Sequence, residues 1–231
     1  MLLPVKHLAI VCVFALGTAC QLQADLVVTD ISGVTHEADG YSTFSTTSND
    51  MVGMRVDVFF ANGTSDTARW TASGISRSNW SMSQGPGSTF SNPFSLTNNS
   101  SSAMTRFVMH GEGSSTIFDR SVSPSTSGTA NGRDLQEFTF LRFFQDIQVT
   151  YFDEVQTVGS TAVGDIFAGM EVSFTDGIAQ SGGQFEFRTD TDTTVNFVRT
   201  TIPEPTTAVQ MMLAFAALSF HRRKRARRDS C

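Results

Sequence analysis

The sequence predicts an all-β fold: one antiparallel β-sandwich of jelly-roll type, formed by residues 25–201. Three observations lead to this prediction. Short segments alternate apolar and polar residues with a period of two, as strands with one buried face do. Residue pairs that favour tight turns, such as Asn62-Gly63 and Asp176-Gly177, separate these segments. The body also lacks a sustained apolar stripe of helical period. Two half-size β domains are the alternative, although no Pro-rich linker marks a boundary between them.

Residues 1–24 are typical of a secretory signal peptide. Lys6 precedes an apolar run, Leu8–Leu16, that is too short for an ordinary membrane span, and small residues follow it. The small residue Ala24 then predicts cleavage by signal peptidase between Ala24 and Asp25. The segment therefore predicts export of the protein.

The three cysteines, Cys12, Cys20 and Cys231, all lie outside the body. Their placement excludes a disulfide scaffold and Cys-ligated metal sites from the body. Cys20 raises an alternative for the signal, because cleavage after Ala19 would leave this cysteine first and open to lipidation. Gly17 stands where lipoprotein signals usually have leucine, so cleavage after residue 24 is preferred.

Twelve strands are expected along the body, and turn-rich segments separate them. Val56 and Val58, on either side of Asp57, illustrate the alternation that predicts them. Residues 84–102 and 121–133 are rich in Ser, Gly and Asn and lack this alternation, so both segments are expected to be loops. The expected strands are 26–31, 41–46, 52–60, 67–72, 76–82, 103–110, 115–120, 136–144, 147–152, 166–174, 184–188 and 193–199.

Charge is distributed unevenly along the chain. The sequence has 16 Lys and Arg against 22 Asp and Glu, a net charge of −6. Six of the cations lie within residues 222–228, so the body alone is strongly acidic. An acidic body argues against nucleic-acid binding, which needs a basic face.

No residue pattern in the body predicts catalysis, so we expect a protein that is not an enzyme. His36 and His110 lack the spacing of metal-binding motifs and are expected to be exposed at strand edges. The serines lack a G-x-S-x-G elbow, and no phosphate-binding glycine loop occurs. A glycosidase needs two carboxylates across a cleft, but the sequence has no signature for such a pair, and solvated strand faces are expected instead. The carboxylates concerned are Glu137, Asp146, Asp153, Glu154 and Glu171.

Calcium is the one cofactor that would suit the acidic segments. Asp190 and Asp192 are expected in an acidic loop of hard oxygen ligands, and Asp153-Glu154 in a second. The first segment is not an EF-hand, because Val195 replaces the required glycine and Thr201 replaces the bidentate glutamate. An acidic turn without an ion is the preferred interpretation, and a calcium site at Asp190 and Asp192 is the alternative.

Three aromatic residues, Trp70, Trp80 and Tyr41, would suit stacking on sugar rings if they were exposed. Both tryptophans lie in alternating segments, which favours packing in the core instead. A carbohydrate-binding or glycan-acting β-sandwich is therefore the alternative function.

Residues 202–231 combine three features in order. Pro203-Glu204-Pro205 is expected to be extended and accessible, because proline lacks an N–H group and disfavours a helical residue before it. An apolar run follows, from Thr206 through Ala208 to Phe220, which is short for a membrane helix. The basic cluster after it predicts a cytoplasmic C-terminus and a body on the other side of the membrane. The cluster consists of Arg222, Arg223, Lys224, Arg225, Arg227 and Arg228.

This layout resembles the PEP-CTERM sorting signal of exosortase substrates, over residues 202–229. Pro203-Glu204-Pro205 matches the recognition motif of that signal. The resemblance implies that an exosortase-like membrane protease cuts an inner-membrane precursor near the motif. The product would then reach the cell surface or extracellular matrix, often alongside exopolysaccharide. We therefore expect an exported structural or interaction protein. A protein tethered permanently by an uncut tail is a further alternative.

Overall fold

The structure is a computed structural model that describes residues 26–31, 36–122, 132–137, 147–159, 164–178 and 181–199. This part of the chain is all-β, with mostly antiparallel sheets in a sandwich-like arrangement. Within it, no helix has the length and apolar character needed to span a bilayer. The predicted signal peptide, the cleavage site at Ala24–Asp25 and the sorting signal at 202–231 lie outside the described residues.

Sixteen strands and one 3-10 turn, Gly111–Ser114, make up the regular structure of the described residues. The first eight strands are β1 (Leu26–Ile31), β2 (His36–Ala38), β3 (Gly40–Thr43), β4 (Arg55–Phe60), β5 (Ser65–Arg69), β6 (Ile75–Ser76), β7 (Trp80–Gln84) and β8 (Phe94–Asn98). The other eight are β9 (Met104–His110), β10 (Thr116–Asp119), β11 (Gln136–Glu137), β12 (Ile147–Thr157), β13 (Ile166–Ile178), β14 (Gly183–Arg188), β15 (Asp190–Val195) and β16 (Val198–Arg199).

The strands form two sheets. The larger has 11 strands, with the order β16-β2-β12-β13-β10-β15-β3 along its main path. Strand β1 also pairs with β12, while β9, β4 and β5 continue from β13. The smaller sheet has five strands in the order β11-β14-β8-β7-β6. Strands that are distant in sequence are therefore neighbours in both sheets.

The main core fills the space between the two sheets. In β4, alternate residues from Val56 to Phe60 are buried, as the sequence predicts. Phenylalanine rings from both sheets meet at the centre. Phe187 of the smaller sheet stacks on Phe94, with 5.1 Å between ring centroids, and lies 5.4 Å from Phe107 of the larger sheet. Each such ring contributes about 1.5–3 kcal/mol by its burial.

A second, smaller core lies on the opposite face of the larger sheet. Strand β10 shows the division, because Ile117 belongs to the second core and the next residue, Phe118, belongs to the main core. Successive side chains of a strand point to opposite faces, which places the two cores on either side of the sheet. The second core consists of Ala38, Ile117, Val155, Ile166 and Ala168.

The two longest strands change face partway along their length. In β12, Tyr151 belongs to the main core and Val155 to the second core, and in β13, Ala168 belongs to the second core and Met170 to the main core. Residues an even number apart in an unbroken strand share a face, so both strands reverse their faces between these positions. Asp153 has a left-handed φ of 58° at the reversal in β12. We call this line across the sheet, from Asp153 to the Ala168–Met170 segment, the crease.

The pairing along the edge of β12 that faces away from β13 changes at the crease as well. Strand β1 runs parallel to the first half of β12, ending with Ile31 opposite Phe152, and β2 runs parallel to the second half, starting with His36 opposite Val155. From the last pair of β1 to the first pair of β2, the residue number therefore increases by five, from 31 to 36, while the residue number in β12 increases by three, from 152 to 155. These two parallel pairings correct the expectation of a purely antiparallel fold.

Residues 84–102 are not a loop throughout, contrary to the sequence prediction. They contain β8, which lies at the centre of the smaller sheet between β14 and β7. Phe94, Leu96 and Asn98 are buried and alternate with half-buried polar residues, so the period of two is present. The amide of Asn98 donates to the carbonyl of Ile178, which explains how a polar residue occupies a core position in β8.

The turn predictions have mixed outcomes. Asn62-Gly63 forms the expected turn between β4 and β5, where Gly63 has a φ of 82°. Asp176-Gly177 lies inside β13 instead, at a shift in its register with β9, where Gly177 has a φ of 72°. The second predicted loop, 121–133, lies mostly outside the described residues.

Candidate functional site

His36 is fully buried at the start of β2, directly beside the crease. This burial corrects the expectation that it is exposed at a strand edge. The Nε2 atom lies 3.5 Å from Oε1 of Glu112 and 3.8 Å from Oδ2 of Asp153. In the part of the chain that the structure describes, they form the one group of three His, Cys, Asp or Glu side chains whose possible ligand atoms all lie within 4.8 Å of one another. We call the three residues the His36 cluster.

Glu112 reaches this cluster from the 3-10 turn, where it lies between two glycines. At Gly111 a Cβ would collide with the carbonyl of Thr116, and at Gly113 it would collide with the carbonyl of Gly53. The turn is therefore packed closely against its neighbours, which only glycine allows. This packing holds Glu112 near His36, while 45% of the Glu112 side chain remains exposed.

Asp153 reaches the cluster because of its unusual backbone. Asp and Asn adopt a left-handed φ more readily than other non-glycine residues do. The sequence suggests an acidic loop at Asp153-Glu154, but both residues lie in β12. Glu154 accepts a hydrogen bond of 2.6 Å from the backbone N–H of Gly164 and is not part of the His36 cluster.

Three buried carboxylates on β10 and β15 form a second group, which we call the aspartate cluster. Asp119 lies opposite Asp190 in this antiparallel pair, and Ile117 lies opposite Asp192. Residues two apart on a strand share a face, so all three carboxylates lie on the face that carries the second core. Their exposed fractions are only 1% for Asp119, 3% for Asp190 and 0% for Asp192.

Burial dominates the electrostatics of the aspartate cluster. Among the described residues, both carboxylate oxygens of Asp119 and Asp192, and Oδ1 of Asp190, are buried and have no hydrogen-bond partner. Burial, together with the negative charges of Asp192 and Asp190, raises the pKa of Asp119 to about 8. Burial also raises the pKa of Asp190 and that of Asp192 to about 7. Near neutral pH, the cluster is therefore poised to hold protons or to accept a positive ion.

The hydroxyl group of Tyr41 lies near the aspartate cluster and is also buried. This hydroxyl has no hydrogen-bond partner in the described part of the chain, although the tyrosine ring is only partly buried. Burial, followed by the charges of Asp165, Asp119 and Asp192, raises the pKa of Tyr41 above its usual value. Its hydroxyl is therefore neutral and remains able to donate or accept a hydrogen bond in this region.

The prediction of an acidic loop at Asp190 and Asp192 is wrong, because both lie in strand β15. Thr191, Thr193 and Thr194 explain the difference, since β-branched residues favour strands, and all three are buried here. The structure brings the two predicted calcium ligands together with Asp119, which the sequence does not mark.

The other carboxylates considered as a glycosidase pair have separate partners or lie outside the described side chains. Glu171 forms an ion pair of 3.0 Å with Arg106. The side chain of Glu137 and all of Asp146 are outside the described part. An open depression of about 500 Å³ is lined by Arg55, Arg69 and Arg77 among eight residues, none of which is acidic.

Both tryptophans are core residues, which confirms the interpretation that the sequence favours. Trp70 and Trp80 are 1% and 0% exposed. The indole N–H of Trp70 donates to the carbonyl of Ser48 at 3.1 Å, and that of Trp80 donates to Asp66 at 2.9 Å. Neither ring is available to stack on a sugar.

His110 lies in a different environment from His36. Its Nε2 atom is 3.0 Å from Oδ2 of Asp57 and 2.8 Å from a guanidinium nitrogen of Arg55. Burial and the charge of Arg55 lower the pKa of His110. The guanidinium of Arg55 contacts Nε2 of His110 directly, so His110 serves as a comparison for the His36 cluster.

Two members of these clusters, Glu112 and Asp119, carry no motif in the sequence. A weak signal exists for Asp119, which follows Ile117 by two residues in T-I-F-D and so shares its face. No family model matches the chain, and neither a curated protein nor a solved structure matches it.

Proposed function

We propose that the protein is an exported surface or extracellular-matrix protein with a structural or interaction role, sorted and processed by an exosortase-like membrane protease. The observation that carries this proposal is the order of features in residues 202–228: Pro203-Glu204-Pro205, a short apolar run and six cations. The signal-like segment at residues 1–24 supports it independently. Both ends direct the same body out of the cytoplasm.

The proposed route has two cleavages. Signal peptidase cuts between Ala24 and Asp25, and the precursor remains in the inner membrane through one helix from Thr206 to Phe220. The basic cluster keeps the C-terminus in the cytoplasm. An exosortase-like protease then recognises Pro203-Glu204-Pro205 and releases the body. A helix that only presents this motif does not need full bilayer length, which fits an apolar run of 15 residues, 206–220.

A non-enzymatic body of jelly-roll type fits this destination. Sheets built from strands that are distant in sequence support a jelly-roll-like topology. The alternative glycan-binding or glycan-acting function has less support, because Trp70 and Trp80 are core residues. Exopolysaccharide remains a proposed neighbour of the released protein and not a ligand with an assigned site.

For the cofactor, we propose calcium at the aspartate cluster, with Asp119 joining Asp190 and Asp192. The support is chemical: calcium prefers carboxylate oxygens, and buried carboxylates without hydrogen bonds need a compensating charge. Among the described residues, these three do not form a set within 4.8 Å as the His36 cluster does, so calcium would have to draw them together.

Substitution of Glu204 by alanine tests the sorting proposal. The Glu204→Ala protein should cross the inner membrane normally but escape processing, so that the full-length precursor accumulates in the membrane. Immunoblots of membrane and released fractions measure this. Asp229→Ala is the matched control, because it removes one acidic residue from the tail but leaves the motif intact, and it should be processed like the wild type.

A second variant separates recognition from anchoring. Replacement of the arginines of the basic cluster by serine should weaken membrane retention before cleavage, because the short apolar run inserts poorly without them. The two variants should therefore fail in different ways. Normal processing and release of the Glu204→Ala protein would show that Glu204 is not recognised and would contradict the sorting proposal.

A further inference from the structure

We propose that the His36 cluster is a binding site for a divalent transition-metal ion, represented by zinc, at the crease of the larger sheet. The protein ligands are Nε2 of His36 and one carboxylate oxygen each from Glu112 and Asp153. Solvent completes the coordination on the side of Glu112, which is the most exposed of the three.

The distances fit ligands that share one ion. Zinc binds imidazole nitrogen and carboxylate oxygen at about 2.0–2.2 Å, so two such ligand atoms are separated by about 3.3–3.6 Å at the tetrahedral angle and by about 3.8 Å at an angle opened to about 130°. The Nε2 atom of His36 lies 3.5 Å and 3.8 Å from the two carboxylate oxygens. Good hydrogen bonds of this type are shorter, at about 2.7–3.2 Å.

The donor set selects the class of metal. One imidazole and two carboxylates suit zinc and similar first-row ions, whereas calcium and magnesium prefer oxygen ligands alone. The aspartate cluster, with only oxygen donors, is the corresponding hard-ion site. The two sites should therefore differ in their metal preference, which separates this proposal from the calcium proposal above.

The fold orients each ligand before an ion arrives. The His36 ring stacks on Phe197, with 5.0 Å between centroids and 16° between planes, which restricts its rotation. Asp153 projects from a backbone with φ of 58°, and Glu112 projects from the close-packed glycine turn. An ion bound here would join β2, β12 and the turn across the crease, where strand pairing is interrupted.

Zinc titration of the full-length protein in detergent tests the proposal. The metal is first removed with chelator, and the thiols are alkylated so that the cysteines bind no zinc. Calorimetry and elemental analysis should find one zinc ion per chain bound to the wild-type protein. Excess calcium should not displace it. Absence of stoichiometric binding, or displacement by calcium, would overturn the proposal.

Two conservative variants locate the ion. Glu112→Gln keeps the size of a partly exposed side chain, and Asp153→Asn keeps a residue that tolerates a left-handed φ. Each variant should lower zinc affinity at least tenfold, since even the loss of an outer-shell partner lowers metal affinity about 10–100-fold. Far-UV circular dichroism checks that both variants fold.

His110→Gln is the matched control, because it also removes a histidine that contacts a carboxylate. This variant should bind zinc as the wild type does. The other explanation of the His36 cluster is a protonated histidine paired with two carboxylates, which needs no metal. If both Glu112→Gln and Asp153→Asn bind zinc with wild-type affinity, that explanation is supported and the metal-site proposal is contradicted.

Discussion

At the scale of single residues, the buried carboxylates of the aspartate cluster predict how the stability of the protein responds to pH. An unperturbed aspartate titrates near pH 3.9, whereas burial raises the pKa of Asp119 to about 8 and those of Asp190 and Asp192 to about 7. Between about pH 4 and pH 8, these three carboxylates therefore bind more protons in the folded chain than in the unfolded chain. Stability should fall as the pH rises through this window.

The measurement is the thermal midpoint at pH 5 and pH 8 in the presence of chelator. We expect the midpoint to fall by several degrees, because about 1 kcal/mol corresponds to about 2–4 °C in a domain of this size. Asp192→Asn should make the decline shallower, since the variant removes one buried charge and its repulsion of Asp119 and Asp190. Asp50→Asn, at an exposed site, should leave the decline unchanged. A midpoint that is flat or rises with pH would contradict this prediction.

Calcium should reverse part of this loss. At pH 8 a bound ion replaces the protons, and one site at 100-fold excess over its Kd contributes about 2.7 kcal/mol. Calcium should therefore raise the thermal midpoint of the wild type and have little effect on Asp192→Asn. If neither calcium nor chelator changes the wild-type midpoint, calcium has no place in the cluster, and the pH prediction stands alone.

Part of these sites is visible in the sequence and part is not. Asp190 and Asp192 stand out as neighbouring carboxylates, and the structure keeps them together. Glu112 and Asp119 do not stand out, because their partners are 76 residues away (112 to 36) and 71 residues away (119 to 190). Such distant residues come together only through strand pairing, and the alternation in a single sequence does not show which strands pair or in what register.

At the scale of elements, β14 shows how one strand stabilises the contact between the sheets. Phe185 and Phe187 are buried on the same face of this strand. The ring of Phe187 lies within 5.4 Å of those of Phe94, Phe107 and Phe185. Such aromatic contacts add about 0.5–1.5 kcal/mol per pair to the energy of burial.

Phe187→Ala should therefore lower the free energy of unfolding by about 3–5 kcal/mol, because it leaves a cavity between the sheets. Phe187→Leu should cost less, since most of the volume is kept. Urea unfolding measures both values. Phe44→Ala provides the control, because Phe44 is 46% exposed, and it should change stability by less than about 1 kcal/mol. Equal effects at the two positions would contradict the assignment of Phe187 to the centre of the core.

The elements themselves were more predictable than their limits and connections. Period-two alternation predicts β4, β12, β13 and β14, because each has one face in an apolar core. It does not predict that β12 and β13 continue across the crease, where apolar residues change face and the period is broken. The polar strand β8 and the first half of β15, which precedes the expected strand 193–199, escape prediction for a related reason: their buried positions include Asn98, Asp190 and Asp192.

At the scale of the whole molecule, both described ends of the body lie on the same side of β12. Strand β1 pairs with the first half of β12, and β16 pairs with β2, which pairs with the second half. The signal-like segment precedes β1, and the proposed sorting signal follows β16 in sequence. The proposed processing sites therefore flank a body whose first and last strands belong to the same sheet.

Mass spectrometry of the mature protein from cells and medium tests both sites together. We expect the N-terminus at Asp25, with no peptide from residues 1–24. Released protein should also lack the apolar run and the basic cluster. Recovery of Met1, or of a lipid on Cys20, would contradict the predicted signal cleavage.

The position of β16 has a mechanical consequence. It is a two-residue strand at the edge of the sheet, held to β2 by the pairs Val198–Glu37 and Arg199–His36. A pull on the chain beyond Arg199 would reach the sheet through these pairs one after the other, as in unzipping, and then through Phe197 on the His36 ring. If the protein is tethered at its C-terminus and pulled by flow, the pairs between β16 and β2 and the contact between Phe197 and His36 would thus break first. The phenylalanine core between the two sheets would carry force only afterwards.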